Sequence, residues 1–320
     1  MKETCPGSAP GVCTVESPCK INLHLRIGER RSDGFHNLES IFASLALGDT
    51  LRFEQTGAED ACDLLVNREI PAEPILPEKN LVYRALALFR ERTGYRAGFR
   101  ITVDKRIPAG AGLGGGSSNA ASTLLALNFL AGTRLPFEEM KEMAAFLGSD
   151  VPFFLRGGVA YVSGRGEYIE SLKPLQNLWV VLVKPRLSSN TALAFSLLDK
   201  FREQGKGGKS PNLCKESLIR ALEADPVTWP FYNDFLPVFL NPICGEKGGE
   251  NEGAAFYEAV LEELRVLGAS FAGLSGSGSC CFGVFRQKKQ ADTAEKTLSG
   301  RGNFVRLTFF VAREAKLVLK

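Results

Sequence analysis

Hydrophobic and polar side chains alternate along residues 14–27, and this two-residue period predicts a β-strand with one buried and one polar face. Ile21 and Leu23 fall on the buried face, whereas Lys20 and Asn22 fall on the polar face. The strand therefore presents a cation and an amide side by side on one surface of the sheet.

Extended character returns at residues 38–53 after a charged turn at residues 28–34, and Gly48-Asp49 is a plausible turn within it. Asn80 is placed to cap a helix that runs to about Thr93. The next predicted elements are a strand at 99–103, a helix from Ser117 to a left-handed C-cap at Gly132, and a helix at 136–147. Residues 148–152 then break the pattern, which places Asp150 at a helix end or in a loop.

The pattern restarts beyond Ser171, so we predict two domains, residues 1–171 and 172–320. Residues 211–240 are predicted to be helical in pieces, and residues 241–253 to form a surface insertion. The other predicted elements are strand 178–183, helix 191–201, helix 254–267, strand 270–273, strand 280–285, helix 288–298 and strand 303–311. This order of strands and helices indicates an α+β sandwich.

Composition narrows the class of partner. The 320 residues include 39 basic and 36 acidic side chains, spread without blocks, which gives no footprint for nucleic acid or a membrane surface. The longest apolar run, at 178–183, is far shorter than the roughly 20 residues that span a bilayer. We find no secretory signal at the N-terminus. We therefore expect a cytoplasmic protein, a monomer or weak homodimer, that acts on a small molecule.

The cysteines follow no metal-binding or disulfide spacing, and we expect free thiols in a reducing compartment. They are Cys5, Cys13, Cys19, Cys62, Cys214, Cys244, Cys280 and Cys281. Since only two histidines are present, we predict no protein-built metal site.

A glycine-rich segment between a predicted strand and a predicted helix is the strongest chemical signal. Glycines allow close backbone approach to a ligand, and the first turn of the helix supplies unpaired N–H groups and a positive dipole end. We predict a phosphate-binding loop, because a flexible linker would not run directly into an amphipathic helix. Its residues are Pro108, Ala109, Gly110, Ala111, Gly112, Leu113, Gly114, Gly115, Gly116, Ser117 and Ser118.

The common phosphate loops fit this segment poorly. A Walker A loop requires a lysine after the glycines, and none follows here. The Rossmann spacing of glycines is present, but the acidic residues that follow, Glu138 and Glu139, open a predicted helix instead of ending a strand. Signatures of protein kinases are absent from the sequence.

The pattern Pro-x-Gly-x-Gly-Leu-Gly-Gly-Gly-Ser-Ser-Asn resembles the ATP loop of the GHMP kinases. Residues 17–23 resemble the substrate-side strand of that superfamily. A second motif, similar to the superfamily's supporting glycine-rich motif, includes Gly273, Ser275, Gly276, Ser277 and Gly278. The resemblance implies a two-domain α+β fold, with an N-terminal ribosomal-protein-S5-like domain and a C-terminal ferredoxin-like α/β sandwich, and ATP with Mg²⁺ as cofactors.

Residues 31–38, 147–157 and 191–195 resemble the branch of this superfamily that phosphorylates a cytidine-diphosphate-linked sugar alcohol in the non-mevalonate route to isoprenoids. Small departures occur at Cys19 and Ser149, where alanine is usual, but neither removes a necessary group. The resemblance implies direct in-line transfer, with Mg²⁺ carried by the nucleotide and a hydroxyl such as that of Ser118 as one ligand.

Two residues are implied to be catalytic. Asp150 matches the aspartate that accepts the hydroxyl proton, and the alternative is that it only caps or solvates a loop. Lys20 is implied to keep that carboxylate ionised, although a strand lysine is ordinarily exposed. Asn22 shares its face of the strand and is implied to contact substrate.

An aromatic cradle for cytosine is also implied. Phe35 stands where tyrosine is usual and keeps the stacking face, and His36 would hydrogen-bond the base. Phe195, four residues after Thr191 on the predicted helix, would form the second wall, although a helical phenylalanine is more often part of a core. Without the family pattern, Phe35 would also be interpreted as a core residue.

Three other functions stay open from the sequence. Another GHMP kinase could act on mevalonate, homoserine or a sugar, and its activity would not depend on cytidine. A non-enzymatic RNA-binding module would adsorb RNA, but no basic patch interleaved with aromatic residues supports it. A Rossmann dehydrogenase would be recognised by a change in the absorbance of a nicotinamide cofactor during turnover.

Overall fold

A computed structural model describes residues 11–68, 75–186, 189–205, 213–241, 250–300, 303–312 and 317–319. The predicted frayed N-terminus and most of the predicted insertion at 241–253 lie outside these ranges. The strands are β1 (Val12–Arg30), β2 (His36–Thr56), β3 (Cys62–Arg68), β4 (Gly98–Lys105), β5 (Val159–Gly164), β6 (Tyr168–Ser171), β7 (Trp179–Lys184), β8 (Phe271–Leu274), β9 (Cys281–Phe285), β10 (Phe304–Phe309) and β11 (Leu317–Leu319). The helices are α1 (Leu81–Thr93), α2 (Gly115–Leu130), α3 (Phe137–Leu147), α4 (Val151–Phe154), α5 (Thr191–Glu203), α6 (Lys215–Leu222), α7 (Leu236–Phe239), α8 (Glu250–Val266) and α9 (Lys288–Ser299).

The larger of two sheets has the order β11-β1-β2-β4-β3, with β5 paired to β2 and β6 paired to β5. Its strand pairs are antiparallel except β3 with β4. Strand β11 comes from the far end of the chain, and its Leu317 lies opposite Val15 of β1. The last described strand therefore returns to the sheet that the first strand begins.

Helices α1 to α4 cover one face of this sheet. Helix α2 lies at the centre, and its buried residues include Ala120, Ala121, Leu124 and Leu127. Small side chains on several sides of α2 allow α1, α3 and the sheet to pack closely around it. The glycine-rich loop is thus joined to a helix with ten of its 16 residues buried.

The smaller sheet has the order β10-β7-β9-β8 and is antiparallel throughout. Val181 and Val183 of β7 face the helices α8 and α9, whereas Val180 and Leu182 face the larger sheet. Because both faces of β7 are buried, its sequence is a continuous apolar run without alternation. The two sheets therefore share a core between them.

The structure confirms an α+β fold and most of the predicted elements. Asn80 caps α1, with its side-chain oxygen 3.0 Å from the amide nitrogen of Val82, and Gly132 has the left-handed φ of +62° expected after α2. Helix α2 begins at Gly115, two residues before the predicted start. The predicted domain boundary at Ser171 coincides with the end of β6, and the division into two domains stays a prediction. Strand β11, from the predicted second domain, pairs with β1 of the predicted first domain.

The predicted turn at Gly48-Asp49 is wrong. Strand β2 continues through it, and its register against β1 shifts from Gly48 opposite Pro18 to Leu45 opposite Cys19. A side chain at Gly48 would lie 2.7 Å from the carbonyl oxygen of Ser17, so glycine permits the close approach of two strands here. Strands β3, β5, β6 and β11 were not predicted.

None of the helices in the described ranges combines the length and apolar character that a bilayer-spanning segment needs.

The segment before α7 docks on the end of β1. The amide of Leu25 donates to the carbonyl of Tyr232 at 2.8 Å, and the amide of Asp234 donates to the carbonyl of Leu25 at 3.0 Å. His24 is buried at this junction, and its ring meets the edge of the Tyr232 ring with centroids 4.5 Å apart. Burial, together with the nearby charge of Arg26, lowers the pKa of His24 to about 4.

We predict an acid-sensitive contribution to stability from His24. The unfolded chain binds a proton near pH 6.5, whereas the folded state resists protonation until about pH 4, so stability falls as pH drops through this window. This pKa shift lowers the free energy of unfolding by about 3 kcal/mol at pH 4 relative to pH 7.5. Urea unfolding should show that the free energy of unfolding falls less between pH 7.5 and pH 4 in His24→Gln than in the wild type. An equal fall in both proteins would contradict the assignment.

Candidate active site

A cleft of about 490 Å³ opens between the glycine-rich loop, β1 and α5. Its walls carry Lys20 and Asn22 from β1, Asp150 from the residue before α4, and Thr191 and Phe195 from α5. The loop lines it with Pro108, Ala109, Gly110, Ala111, Gly112, Leu113, Gly114, Gly115, Gly116 and Ser117. The fold thus brings the predicted ATP loop, the predicted catalytic pair and part of the predicted substrate site to one cleft.

The start of α2 presents free backbone amides. Gly114 is the N-cap with a left-handed φ of +69°, and no side chain within the described ranges caps the helix. The first helical hydrogen bond runs from the Ser118 amide to the Gly114 carbonyl at 2.9 Å. The amides of residues 115–117 therefore lack intrahelical partners, and the helix dipole adds positive potential beside them. An anionic phosphate is the ligand that this end of the helix suits.

The second glycine-rich segment and strand β1 both form hydrogen bonds with the glycine-rich loop. The Ser275 hydroxyl donates to the Gly112 carbonyl at 3.0 Å, and the Lys20 amide donates to the Leu113 carbonyl at 2.9 Å. A Cβ on Gly112, where φ is +72°, would lie 2.2 Å from the Ser275 carbonyl oxygen. The two backbones touch at a distance that only glycine allows.

The rest of this second segment lies around the cleft. Gly276 and Ser277 line it, and the Ser277 hydroxyl lies 3.0 Å from that of Thr191. Gly273 is part of β8, and Gly278 has a φ of +80° in the turn that follows.

Ser118 does not line the cleft. Its hydroxyl is buried and accepts a hydrogen bond at 2.7 Å from the hydroxyl of Ser17 on β1. Ser117, one residue earlier, faces the cleft. The two predicted serines therefore differ: one joins α2 to the sheet, and the other is available to a ligand.

Lys20 is buried rather than solvated, and its ammonium group is surrounded by partners. Nζ donates to Oδ1 of Asn22 at 2.6 Å, lies 3.4 Å from Oδ2 of Asp150, and lies 4.4 Å from the centroid of the Phe42 ring. The Lys20 side chain is 4% exposed and that of Asp150 is 32% exposed. A buried cation needs such partners. The Asp150 carboxylate is the accessible member of this ion pair, and it lines the cleft.

Asn22 is held mainly by protein groups. Its Nδ2 donates to the hydroxyl of Ser40 at 2.9 Å, while its Oδ1 accepts from Lys20. Both ends of the amide are therefore used to orient the lysine. Because Asn22 also lines the cleft, the predicted contact with substrate stays a prediction.

A second cavity, of about 830 Å³, adjoins the cleft and shares Asp150, Thr191 and Phe195 with it. The predicted aromatic residues Phe35 and His36 line this second cavity. The ring of His36 stacks on Phe195, at 5.1 Å between centroids and 23° between planes. The predicted base-binding residues are therefore neighbours, one step away from the predicted catalytic carboxylate.

Phe35 remains at the surface instead of in a core. Its side chain is 49% exposed, and the guanidinium group of Arg165 lies 3.7 Å from its ring centroid. An aromatic ring in such a position has a large apolar face for a ligand. Arg165, in the turn between β5 and β6, was not predicted as a site residue.

Two further side chains at the cavities were also missed. Lys105 lines the first cleft and pairs with Asp49, a fully buried carboxylate that also accepts the amides of Arg106 and Ile107 at 2.8 and 2.9 Å. Asp199 lines the second cavity, four residues after Phe195. That i,i+4 spacing was a usable signal for Asp199, whereas Asp49 was concealed by the apparent Gly-Asp turn.

Burial disfavours the thiolate form of several cysteines among the described residues. The six described cysteines are free thiols. Burial raises the pKa of Cys280 to about 12 and also raises that of Cys19. Cys5 and Cys244 lie outside the described residues.

No group of three or more His, Cys, Asp or Glu side chains is arranged to hold a metal ion in the part of the chain that the structure describes.

Family models match both halves of the chain. The model of the GHMP kinases N terminal domain covers residues 80–158, and the model of the GHMP kinases C terminal domain covers residues 255–303. The first match contains the glycine-rich loop and Asp150, and the second contains the supporting glycine-rich segment.

Curated relatives share most of the chain. It is 35% identical over 294 residues to the 4-diphosphocytidyl-2-C-methyl-D-erythritol kinase of Treponema pallidum strain Nichols, covering 90% of this chain and 95% of the relative. It is 43% identical over 276 residues to the chloroplastic enzyme of the same name from Arabidopsis thaliana, covering 84% and 66%.

Solved structures of GHMP kinases share the fold of this chain. A crystal structure of 4-(cytidine 5'-diphospho)-2C-methyl-D-erythritol kinase is 32% identical, with a TM-score of 0.69 over 92% of this chain and 98% of the other. The mevalonate kinase of L. major, with R-mevalonate, has a TM-score of 0.66 over 96% and 98% at 17% identity, a likeness of fold alone.

We predict that Gly112→Ala destabilises the protein by about 2 kcal/mol or more, because the new side chain combines an unfavourable φ with a backbone clash. Thermal and urea unfolding would measure this change. Gly116→Ala is the matched control: its nearest neighbour is Leu81 Cδ1 at 3.6 Å, and alanine favours the helix. Equal destabilisation by both variants would contradict the close backbone contact.

Proposed function

Because the chain belongs to the 4-diphosphocytidyl-2-C-methyl-D-erythritol kinase family of the GHMP kinases, we propose that it transfers the γ-phosphoryl group of ATP to the 2-hydroxyl group of 4-diphosphocytidyl-2-C-methyl-D-erythritol. The protein is an ATP-dependent small-molecule kinase, and the reaction is a step of non-mevalonate isoprenoid precursor synthesis. The observation that carries the site assignment is the shared cleft of the amide-presenting loop and Asp150.

The free amides at the start of α2 would bind the triphosphate of ATP. Several N–H donors converge there, and negative charge is stabilised by the helix dipole. The bracing of Gly112 by Ser275 keeps these donors in place before the nucleotide arrives, so little ordering remains to be done on binding.

Magnesium fits the oxygen donors of the cleft. Mg²⁺ prefers oxygen ligands and usually keeps several waters while bridging nucleotide phosphates. The Asp150 carboxylate and the Ser117 hydroxyl line the cleft, and Asn119 Oδ1 is a buried oxygen without a hydrogen-bond partner among the described residues. Of the two predicted serines, Ser117 would be the one available to hold the ion, because only its side chain lines the cleft. When bound, the ion would neutralise charge on the transferred phosphoryl group.

Asp150 would accept the proton of the substrate hydroxyl. As that oxygen bonds to the γ-phosphorus, the bond from phosphorus to the β,γ-bridging oxygen breaks and ADP leaves with the electron pair. Lys20, 3.4 Å from the carboxylate and oriented by Asn22, would hold that carboxylate in place and stabilise negative charge on the phosphoryl oxygens. Direct transfer is supported because the buried thiols Cys19 and Cys280 have raised pKa values.

The second cavity would hold the cytidine end of the substrate. Phe35 and Phe195 offer aromatic faces for stacking, and His36 offers hydrogen bonding at the base edge. Thr191 and Asp150 lie where the two cavities join. A substrate with a base at one end and an alcohol at the other would therefore span both.

The nearly balanced charge supports a small molecule rather than nucleic acid as the partner. A cytoplasmic location and a monomeric or weakly dimeric state stay predictions.

We expect Asp150→Asn to lower kcat by roughly 10²- to 10⁴-fold, because the amide cannot accept the proton. A coupled assay of ADP release would measure turnover, and titration with a nonhydrolysable ATP analogue would show that nucleotide affinity is largely kept. Glu142→Gln, which removes an exposed carboxylate from α3, is the charge-matched control and should retain full turnover. Near-normal activity of Asp150→Asn would reject its catalytic role.

Removal of the cytidine tests the substrate. We expect 2-C-methyl-D-erythritol 4-phosphate, which lacks the cytidylyl group, to be turned over at least about 10²-fold less efficiently, since it loses base stacking and hydrogen bonds. The comparison requires kcat/KM for both compounds under one set of conditions. Equal efficiency would favour another GHMP kinase activity on a smaller alcohol.

A further inference from the structure

A carboxylate holds the imidazole of His36 at the wall of the second cavity. Nε2 of His36 lies 2.8 Å from Oδ1 of Asp199, and the His36 side chain is 5% exposed. Phe195, one helical turn before Asp199 on α5, stacks on the same ring. The imidazole is therefore fixed in its plane and also at one of its nitrogens.

The other ring nitrogen is available to a ligand. Nδ1 of His36 has no hydrogen-bond partner among residues that the structure describes, and it is not one of their buried polar atoms that lack a partner. Because His36 lines the cavity, Nδ1 is the ring nitrogen left to contact a bound base.

Asp199 determines what Nδ1 can do. An ionised carboxylate only accepts hydrogen bonds, whereas neutral imidazole has one N–H group and one bare nitrogen. The hydrogen of neutral His36 is therefore drawn to Nε2, which faces Asp199. Nδ1 is then an acceptor.

We propose that Asp199 is a positioning residue that makes His36 an acceptor for the 4-amino group of cytosine and thereby discriminates against uracil. Cytosine has an amino donor where uracil has a carbonyl acceptor. Nδ1 binds the donor, whereas the carbonyl would oppose its lone pair. This inference rests on the proposed function, because it assumes that the base of the substrate lies in this cavity.

The pair is not needed to attach α5 to the sheet. Arg202, one turn beyond Asp199, donates to the carbonyls of Ile27 and Gly28 at 2.7 and 3.0 Å and pairs with Asp234 at 3.0 Å. These contacts anchor the same helix independently. The contact between His36 and Asp199 is thus free to serve the orientation of the imidazole.

The kinetic test compares cytidine- and uridine-diphosphate-linked methylerythritol as substrates of the full chain at pH 8. Asparagine at position 199 can either donate to Nε2 or accept from it, so Asp199→Asn permits both tautomers. We expect the cytidine preference in kcat/KM to fall at least about tenfold, through KM for the nucleoside substrates, while KM for ATP is unchanged. Asp199→Glu should keep a strong preference for cytidine.

Glu203→Gln is the matched control for charge. Glu203 lies on the rim of the same cavity one turn further along α5, and its substitution removes the same charge without touching His36. Its cytidine preference should equal that of the wild type. Thermal unfolding of each variant would show whether the folded state is retained.

A spectroscopic readout tests the tautomer directly. The chain has only two histidines, so long-range ¹H–¹⁵N spectra of histidine-labelled protein can be assigned with His24→Gln. We expect hydrogen on Nε2 of His36 in the wild type and a mixture of tautomers in Asp199→Asn. This measurement needs no substrate.

Two results would overturn the inference: hydrogen on Nδ1 of His36 in the wild type, or an unchanged cytidine preference in Asp199→Asn. A failure of the proposed function is distinguishable, because neither nucleoside substrate would then be phosphorylated even by the wild type. In that case the spectra still decide whether Asp199 sets the tautomer, and binding of CMP against UMP decides whether the cavity selects cytosine.

Discussion

Two glycine-rich segments from different halves of the chain touch backbone to backbone, and the position of the active site depends on this contact. Gly112 lies so close to the carbonyl of Ser275 that no side chain fits between them. The contact sets where α2 begins and hence where its free amides point. It also joins the two halves beside the cleft in which the proposed function would bring nucleotide and acceptor together. A displacement of about 1 Å there would separate donor from acceptor.

Strand β1 connects this contact to the rest of the molecule. Its Lys20 serves the carboxylate of Asp150, its Asn22 orients that lysine, and its His24 is buried where the segment before α7 docks. One strand therefore carries candidate catalytic side chains and a structural one within five residues, and a register shift between Asn22 and His24 separates the two groups. Because these side chains are buried, the strand keeps polar chemistry inside the protein, where every group needs a partner.

The sequence predicted the features that depend on local rules. The glycine loop, the Asn80 cap and the Gly132 cap follow from backbone chemistry within a few residues, and they are present. It could not show that Lys20 is buried, because that depends on Phe42 and Asp150 from distant segments. The Gly48-Asp49 pair was misinterpreted because a turn and a strand irregularity use the same residues. Asp199 follows Phe195 by one helical turn, which was a usable signal, but its contact with His36 could not be predicted because the two residues lie far apart in sequence.

The return of β11 to the larger sheet has a mechanical consequence. The smaller sheet and its helices are joined to the rest by two chain crossings, one after β6 and one before β11, so they form a loop anchored at both ends. Such a double attachment, together with the core that the two sheets share, restricts displacement of one sheet against the other. A cleft between elements held in this way keeps its two walls in alignment.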